Sequence, residues 1–146
     1  MLRFIKGDIF SSQADILVNP VNCVGTMGKG LALVFKKRFP DAFDEYVALC
    51  ASGVLSPGKP HLCKSLFPPQ IVLFPTKDHW RGAAKVEFID QGLNELTKIL
   101  IKHKVSSVAI PHLGCGLGGL SWKNEVLPLV QQYFGDSSLL VEVYGL

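Results

Sequence analysis

The stretch that most limits the fold is Ile110-Pro-His-Leu-Gly-Cys-Gly-Leu-Gly-Gly-Leu-Ser-Trp122. An apolar strand (Val108, Ala109, Ile110) runs into four glycines, Gly114, Gly116, Gly118 and Gly119, and then into a helix for which Ser121 is the expected N-cap. Strand, glycine loop and helix start are the parts of a phosphate cradle. Glycines let a backbone turn at positive φ and approach a ligand closely, and the free N–H groups of a helix start point toward an anion. The stretch therefore points to a phosphate-bearing small molecule. Gly114, Gly116 and Gly119 also satisfy G-x-G-x-x-G, but a dinucleotide fingerprint belongs in the first βα turn and needs a whole βαβ unit after it. Here the chain is nearly finished, and Asp136 sits in a Gly-Asp-Ser-Ser turn rather than at a strand end. A bare glycine turn needs fewer glycines than this.

The rest of the chain repeats the same grammar. Leu2 to Lys6 alternates apolar and basic residues as a strand closed by Gly7-Asp8. Ile16-Leu17-Val18 reads as a buried strand leading into a second glycine-rich loop, Asn19 to Gly30. Leu31, Val34 and Phe35 then recur at helical spacing, with Lys36, Lys37 and Arg38 at the helix end, where the dipole favours cations. Asp41 is expected to cap a further helix with Phe43, Tyr46, Val47 and Cys50 on its apolar face, ending before Gly53. His61 to Leu66 and Ile71 to Phe74 are two strand candidates joined by a loop at Pro68-Pro69, and the second opens into Pro75 to Gly82.

From about Ala83 to His103, Val86, Ile89, Leu93, Leu96 and Leu100 give the clearest helix, weakened slightly by Gly92. A strand at Ser107 to Ile110 follows, then the glycine loop, then a helix from Trp122 to about Phe134 that Pro128 should bend or interrupt. Leu139 to Tyr144 is the last strand. Strands alternating with helices predict an α/β fold, a three-layer sandwich whose mixed, largely parallel sheet carries helices on both faces.

In such sheets ligands collect beyond the carboxyl ends of the strands. Parallel strands would bring Asn19 to Gly30, Pro75 to Gly82 and Leu113 to Leu120 to one rim, holding a ligand between two glycine loops with Lys77 beside it. Lys29 between Gly28 and Gly30 imitates a Walker lysine, but Gly30 stands where Ser or Thr should hold magnesium, so NTP hydrolysis is not expected. Lys29 reads equally as a phosphate ligand or a solvated loop lysine. Cys115 lacks a visible His and orienter, which argues against a nucleophile. His79, Trp80 and Arg81 could form a nucleic-acid contact by stacking and phosphate pairing, while His79 reads equally as a surface loop histidine and Trp80 as packing under the loop. His61, His103 and His112 read as structural.

Composition narrows the class further. With 146 residues, 48% of them hydrophobic and 18% charged, one domain with a true core is expected, covering residues 1–146. The net charge of +3 suits an anionic ligand, and Lys and Arg form no block of the kind that marks a nucleic-acid tail. Cys23, Cys50, Cys63 and Cys115 are scattered without CxxC or zinc spacing, so neither a structural metal nor a redox motif is expected and a reducing cytoplasm fits best. No signal-peptide core or membrane-length apolar run is visible.

Taken together, Lys6-Gly-Asp-Ile9, Val18-Asn-Pro-Val-Asn22, Gly25-Thr-Met-Gly-Lys-Gly30 and Pro111-His-Leu-Gly-Cys-Gly-Leu-Gly-Gly119 resemble the macrodomain, the ADP-ribose-binding module, from Leu2 to the last strand. Met27-Gly-Lys-Gly-Leu-Ala32, Phe74-Pro-Thr-Lys77 and His79-Trp-Arg81 are similar to the class that holds terminal ADP-ribose protein glycohydrolases and the DarG-type antitoxins, which remove ADP-ribose from DNA. The DarG-type likeness is the closer one.

The resemblance implies roles position by position. Asp8 would accept a hydrogen bond from the adenine amino group, with Ile9 beside it. Asn22 would hold the distal ribose, and Thr26, Met27, Gly28, Lys29, Gly30 and Leu31 would wrap that ribose and the diphosphate. Thr76 would belong to the ADP-ribose-binding set as well. Leu113, Gly114, Cys115, Gly116, Leu117, Gly118 and Gly119 would cradle the diphosphate. Tyr144 would neighbour the adenine, although it reads equally as a core aromatic. Lys77 would attack the anomeric carbon of the distal ribose and pass through a covalent adduct. An amine must be neutral to do so, whereas free lysine titrates at about 10.4. Asp78 would oppose deprotonation if its carboxylate came close.

Gly118 replaces an acidic residue that the protein-acting enzymes of the class carry, which favours a nucleic-acid substrate. The implied partners are ADP-ribose or an ADP-ribosylated substrate such as DNA, and a cognate ADP-ribosyltransferase toxin. No cofactor, metal or membrane is implied, and a monomer is expected. Three other activities remain open to this reading: phosphatase action on ADP-ribose 1″-phosphate, deglycosylation of ADP-ribosylated protein, and non-catalytic ADP-ribose binding.

Overall fold

The computed structural model describes residues 1–145. Six strands form one sheet: β1 (Leu2–Lys6), β2 (Ile16–Val21), β3 (His61–Cys63), β4 (Gln70–Pro75), β5 (Ser107–Pro111) and β6 (Leu140–Gly145). Their spatial order is β1-β6-β5-β2-β4-β3, parallel throughout except for the antiparallel edge strand β3. Helices α1 (Gly30–Arg38) and α2 (Pro40–Ala51) cover one face, and α3 (Val86–Lys102) and α4 (Leu127–Phe134) cover the other. This is the expected three-layer α/β sandwich.

Period-two alternation builds both cores from the same apolar runs. Ile16 and Val18 of β2 face α3 and α4, together with Val72, Phe74, Val108 and Ile110. Leu17 and Val21 face α1 and α2, together with Ile71, Leu73 and Ala109. In α3 the three-and-four spacing turns Ile89, Leu93, Leu96 and Leu100 onto the sheet. No helix among the described residues is long and apolar enough to cross a membrane.

Several boundaries differ from expectation. Phe39 rather than Asp41 occupies the N-cap of α2, because Pro40 takes the first helical position, where its missing N–H is harmless. Asp41 lies within the first turn. Strand β3 stops at Cys63, and Leu66 and Phe67 lie in an exposed loop. Helix α3 begins at Val86, three residues later than expected. Pro128 does interrupt its helix: a π turn at Trp122–Val126 gives way to α4, and the proline falls in the first turn of the new helix. Ser121 caps that turn as expected, its hydroxyl accepting from Asn124 N while Glu125 Oε1 accepts from Ser121 N at 2.9 Å. A 3₁₀ turn at Ile9–Ser11, capped by Asp8, carries too few residues to leave a periodic signal in the sequence.

The register explains where the molecule opens. Strand β2 pairs with β4 along its whole length, from Ile16 with Gln70 to Val21 with Pro75. With β5 it pairs only at Ile16 with Val108 and Leu17 with Ala109. Beyond those residues β2 and β5 diverge, and a cleft forms between their carboxyl ends. The chain also changes direction of travel across the sheet at this boundary, which is where ligands bind in open α/β sheets.

Candidate ADP-ribose cleft

The cleft at this rim has a volume of about 1110 Å³. That exceeds the roughly 300–1,000 Å³ common for small-molecule sites. All three loops singled out in the sequence reach it. The turn after β1 contributes Asp8 and Ile9, the loop after β2 Asn22 and Thr26, and the start of α1 Gly28 to Leu31. Thr76, Lys77 and Trp80 come from the loop after β4, and Gly114 to Gly118 from the loop after β5. Tyr144, at the end of β6, closes one side and is 7% exposed.

Five expected site residues stand away from the cleft wall. Met27 is buried beneath its loop, with Asn19 Nδ2 donating to its sulfur at 3.7 Å. Leu113 is wholly buried in the core. Gly119, His79 and Arg81 lie outside the lining. The His79 ring approaches the Trp80 ring at 5.4 Å, and the Arg81 guanidinium lies over the indole at 4.5 Å, so Trp80 is the member of this trio that borders the cleft.

The helix start left open toward the cleft is that of α1, not the one after the Gly114 to Gly119 loop. Ser121 and Glu125 close the later helix start with their own hydrogen bonds, and neither residue lines the cleft. Lys29, in contrast, holds the N-cap position of α1 without a side-chain cap. The first-turn N–H groups of α1 are therefore free to meet an anion in the cleft.

The Gly114 to Gly119 loop supplies the opposite wall by shape. A Cβ at Gly118 would lie 2.4 Å from the Gly114 carbonyl oxygen and 2.9 Å from Ala84 Cβ, and Gly114 itself adopts φ of +74°. Ala84 N donates to the Gly118 carbonyl at 3.1 Å and Leu120 N to the Gly114 carbonyl at 3.0 Å, which fixes the loop at both positions. A side chain at Gly118 has no room in this loop unless the backbone moves. The Cys115 environment disfavours a thiolate: burial, with Glu125 adding, pushes its thiol up to about 11, and the thiol donates to the Leu113 carbonyl at 3.4 Å.

Asn22 anchors the first loop. Its side chain, only 6% exposed, donates to the Thr26 carbonyl at 2.8 Å and accepts from Val24 N at 3.1 Å and from the Tyr46 hydroxyl at 2.6 Å. Tyr46 was legible in the sequence only as part of an apolar helix face. Its buried hydroxyl also reaches the Asn22 carbonyl at 3.0 Å, tying α2 to the ligand loop.

Phe10 and His112 are further cleft residues that the sequence reading left out. Phe10 packs edge-on against Phe35 at 4.7 Å beneath the Arg38 guanidinium. His112 stacks flat on Trp122 at 3.9 Å, and burial holds its imidazole below the usual histidine value. A histidine directly after an apolar strand and before a glycine loop was the available signal.

Lys77 emerges from the end of β4 and is half-buried, with Nζ donating to the Trp80 carbonyl at 3.1 Å. Asp78 is exposed, and its backbone carbonyl accepts from Cys23 N at 2.9 Å. Among the described residues Lys77 forms no ion pair, so the neighbouring carboxylate is not paired with its amine.

A family model described as "Macro domain" matches residues 18–127. The DNA ADP-ribosyl glycohydrolase of Mycobacterium tuberculosis is 40% identical over 136 residues, spanning 91% of this chain and 39% of that protein. The solved macrodomain of Mycobacterium tuberculosis DarG superposes with a TM-score of 0.94 at 38% identity, covering 100% of this chain and 98% of that one. Thermosipho africanus DarTG, solved in complex with ADP-ribose, gives a TM-score of 0.92 at 36% identity, over 98% of this chain and 41% of that one. The chain thus spans about two-fifths of the length of the curated glycohydrolases it matches.

Proposed function

The chain belongs to the macrodomain family, and from that membership we propose that it removes mono-ADP-ribose from a modified macromolecule, with DNA as the substrate and Lys77 as the catalytic residue. The observation that carries the proposal is the meeting of Lys77, the open start of α1 and the Gly114 to Gly118 loop in one cleft.

The order of the strands supports an extended ligand. Along the rim come the Asp8 turn after β1, Tyr144 of β6, the glycine loop after β5, the Asn22 loop after β2 and Lys77 after β4. Four strand spacings of about 4.8 Å give a track of roughly 19 Å. Adenine at the Asp8 and Tyr144 end would bring the diphosphate between the glycine loop and the α1 start, where backbone N–H groups meet its charge. The distal ribose then falls between Thr26 and Lys77.

At that end the Lys77 amine, which must shed its proton to act, attacks the anomeric carbon and the glycosidic bond to the base breaks. The bonding pair leaves with the base, which takes up a proton. Water then hydrolyses the covalent adduct and restores the amine. The hydrogen bond to the Trp80 carbonyl holds the amine at the cleft wall before attack. Trp80, 43% exposed with Arg81 over its ring, offers a stacking face to a base next to the modified one.

The test is a substrate panel of ADP-ribosylated DNA, ADP-ribosylated protein and ADP-ribose 1″-phosphate. The proposal expects release of ADP-ribose with regeneration of the unmodified base from DNA, and little turnover of the other two. Phosphate release as the dominant activity, or binding of ADP-ribose without turnover of any substrate, would overturn it.

A further inference from the structure

On the face of the sheet covered by α2, three side chains that no part of the ADP-ribose chemistry uses come together. Helix α2 supplies Glu45, and the edge strand β3 supplies His61 and Cys63, whose two-residue spacing turns both onto one face while Leu62 joins the opposite core. Donor atoms of the three lie within 4.8 Å of one another, and His61 Nε2 meets Glu45 Oε2 at 2.5 Å. We propose that Glu45, His61 and Cys63 form a binding site for a zinc-like divalent cation, set apart from the ADP-ribose cleft and pinning the sheet edge to α2.

The donor set is the argument. One sulfur, one imidazole nitrogen and one carboxylate oxygen match the ligand types of zinc and cobalt, and exclude the all-oxygen preference of magnesium and calcium. Three protein ligands with an open fourth position also match the count of water-bearing zinc sites. Burial has the right gradient for this. Cys63 forms the floor at 4% exposure, while the His61 and Glu45 side chains are 36% and 41% exposed and leave the mouth open to water.

Donors round a tetrahedral zinc sit roughly 3.5 Å apart, so seating the ion takes shifts of about 1 Å in the half-exposed side chains: His61 Nε2 and Glu45 Oε2, now at 2.5 Å, must part, and any wider gap within the set must close. His61 and the buried Cys63 thiol both turn toward the Glu45 carboxylate, so a cation bound here would take the place of the protons that now join the three groups. The sequence hid the site because His-x-Cys on a strand lacks zinc spacing, and its third ligand lies sixteen residues away on a helix. Strand β3 is three residues long and has one paired neighbour, so a metal clip there would stiffen the weakest edge of the sheet. It would also steady α2, where Tyr46, next to Glu45, holds the Asn22 loop.

Titration of chelator-treated protein with cobalt(II) tests the site. The expected result is saturation at one equivalent, with a thiolate-to-cobalt charge-transfer band in the near ultraviolet that zinc abolishes. Cys63→Ser should lose the band, and His61→Ala should weaken zinc binding at least about tenfold. The proposal is overturned by absence of the band in the unmodified protein, or by a band of equal strength in Cys63→Ser. Should Cys63→Ser fail to fold, His61→Ala decides, since unchanged zinc affinity in that variant also overturns the site.

Discussion

At Gly118 a single missing side chain decides what the cradle can be. Because a Cβ there would stand 2.4 Å from the Gly114 carbonyl, an aspartate cannot be added as a catalytic accessory without moving the loop. Gly118→Asp is therefore expected to weaken ADP-ribose binding at least about tenfold, near 1.4 kcal/mol, without gaining activity on ADP-ribosylated protein. Calorimetry and the protein-substrate assay check the two halves. A different residue sets a pH dependence. Partial burial pushes the Asp15 carboxyl up, but hydrogen bonds from Ser106 N at 3.0 Å, Ser106 Oγ at 2.9 Å and Ser107 N at 3.2 Å outweigh it and hold the group below the usual carboxylate value. A carboxyl whose folded value is depressed stabilises the fold above its unfolded value of about 3.9, and that contribution fades as pH falls through the folded value. Asp15→Asn should thus cost about 1 kcal/mol at neutral pH, below the roughly 1.5–3 kcal/mol of charged hydrogen bonds because solvent screens the carboxylate. Urea unfolding at pH 7 and at pH 3 should show the gap between the two proteins narrowing in acid.

Helix α3 shows how far an element can be read from its sequence and where reading stops. Its apolar spacing fixed its existence and its buried face, since a three-and-four period has no other outcome than one stripe on the sheet. Gly92 looked like a weak point in that helix. In the fold it is a contact, for a Cβ there would approach the Phe74 ring to 2.3 Å. Propensity alone says Gly92→Ala should stabilise by up to about 1 kcal/mol. Overlap with the ring reverses the sign, and a net loss of about 1–2 kcal/mol is expected from the denaturant midpoint. The glycine loops were legible for the same reason as the helix, because their chemistry is local. Tyr46, Phe10 and the uncapped start of α1 were not, since each acquires its role from a partner distant in the chain: Asn22 for Tyr46, Phe35 for Phe10, and the divergence of β2 from β5 for α1.

For the whole molecule the sheet order is the organising fact. It lays the loops along one rim, from the Asp8 turn to Lys77 at the far end, in the order in which the proposed site would take an adenine, a diphosphate and a distal ribose. Binding at such a track links five strand ends, so ADP-ribose should raise the unfolding temperature of the entire domain. At one hundred times its dissociation constant the ligand contributes about 2.7 kcal/mol, or roughly 5–10 °C for a domain of this size, and a calorimetric scan with and without ADP-ribose reads it. Lys77→Ala should keep that shift, because the cradle binds without the amine. The most direct test joins the two properties in one preparation: single-turnover release of ADP-ribose from modified DNA by the wild-type protein and by Lys77→Ala, with ADP-ribose affinity measured on the same samples. The expected result is a fall in rate of at least about a thousandfold, some 4 kcal/mol of barrier, at nearly unchanged affinity. Release by Lys77→Ala at the wild-type rate would contradict the assignment of Lys77 as the group that breaks the bond.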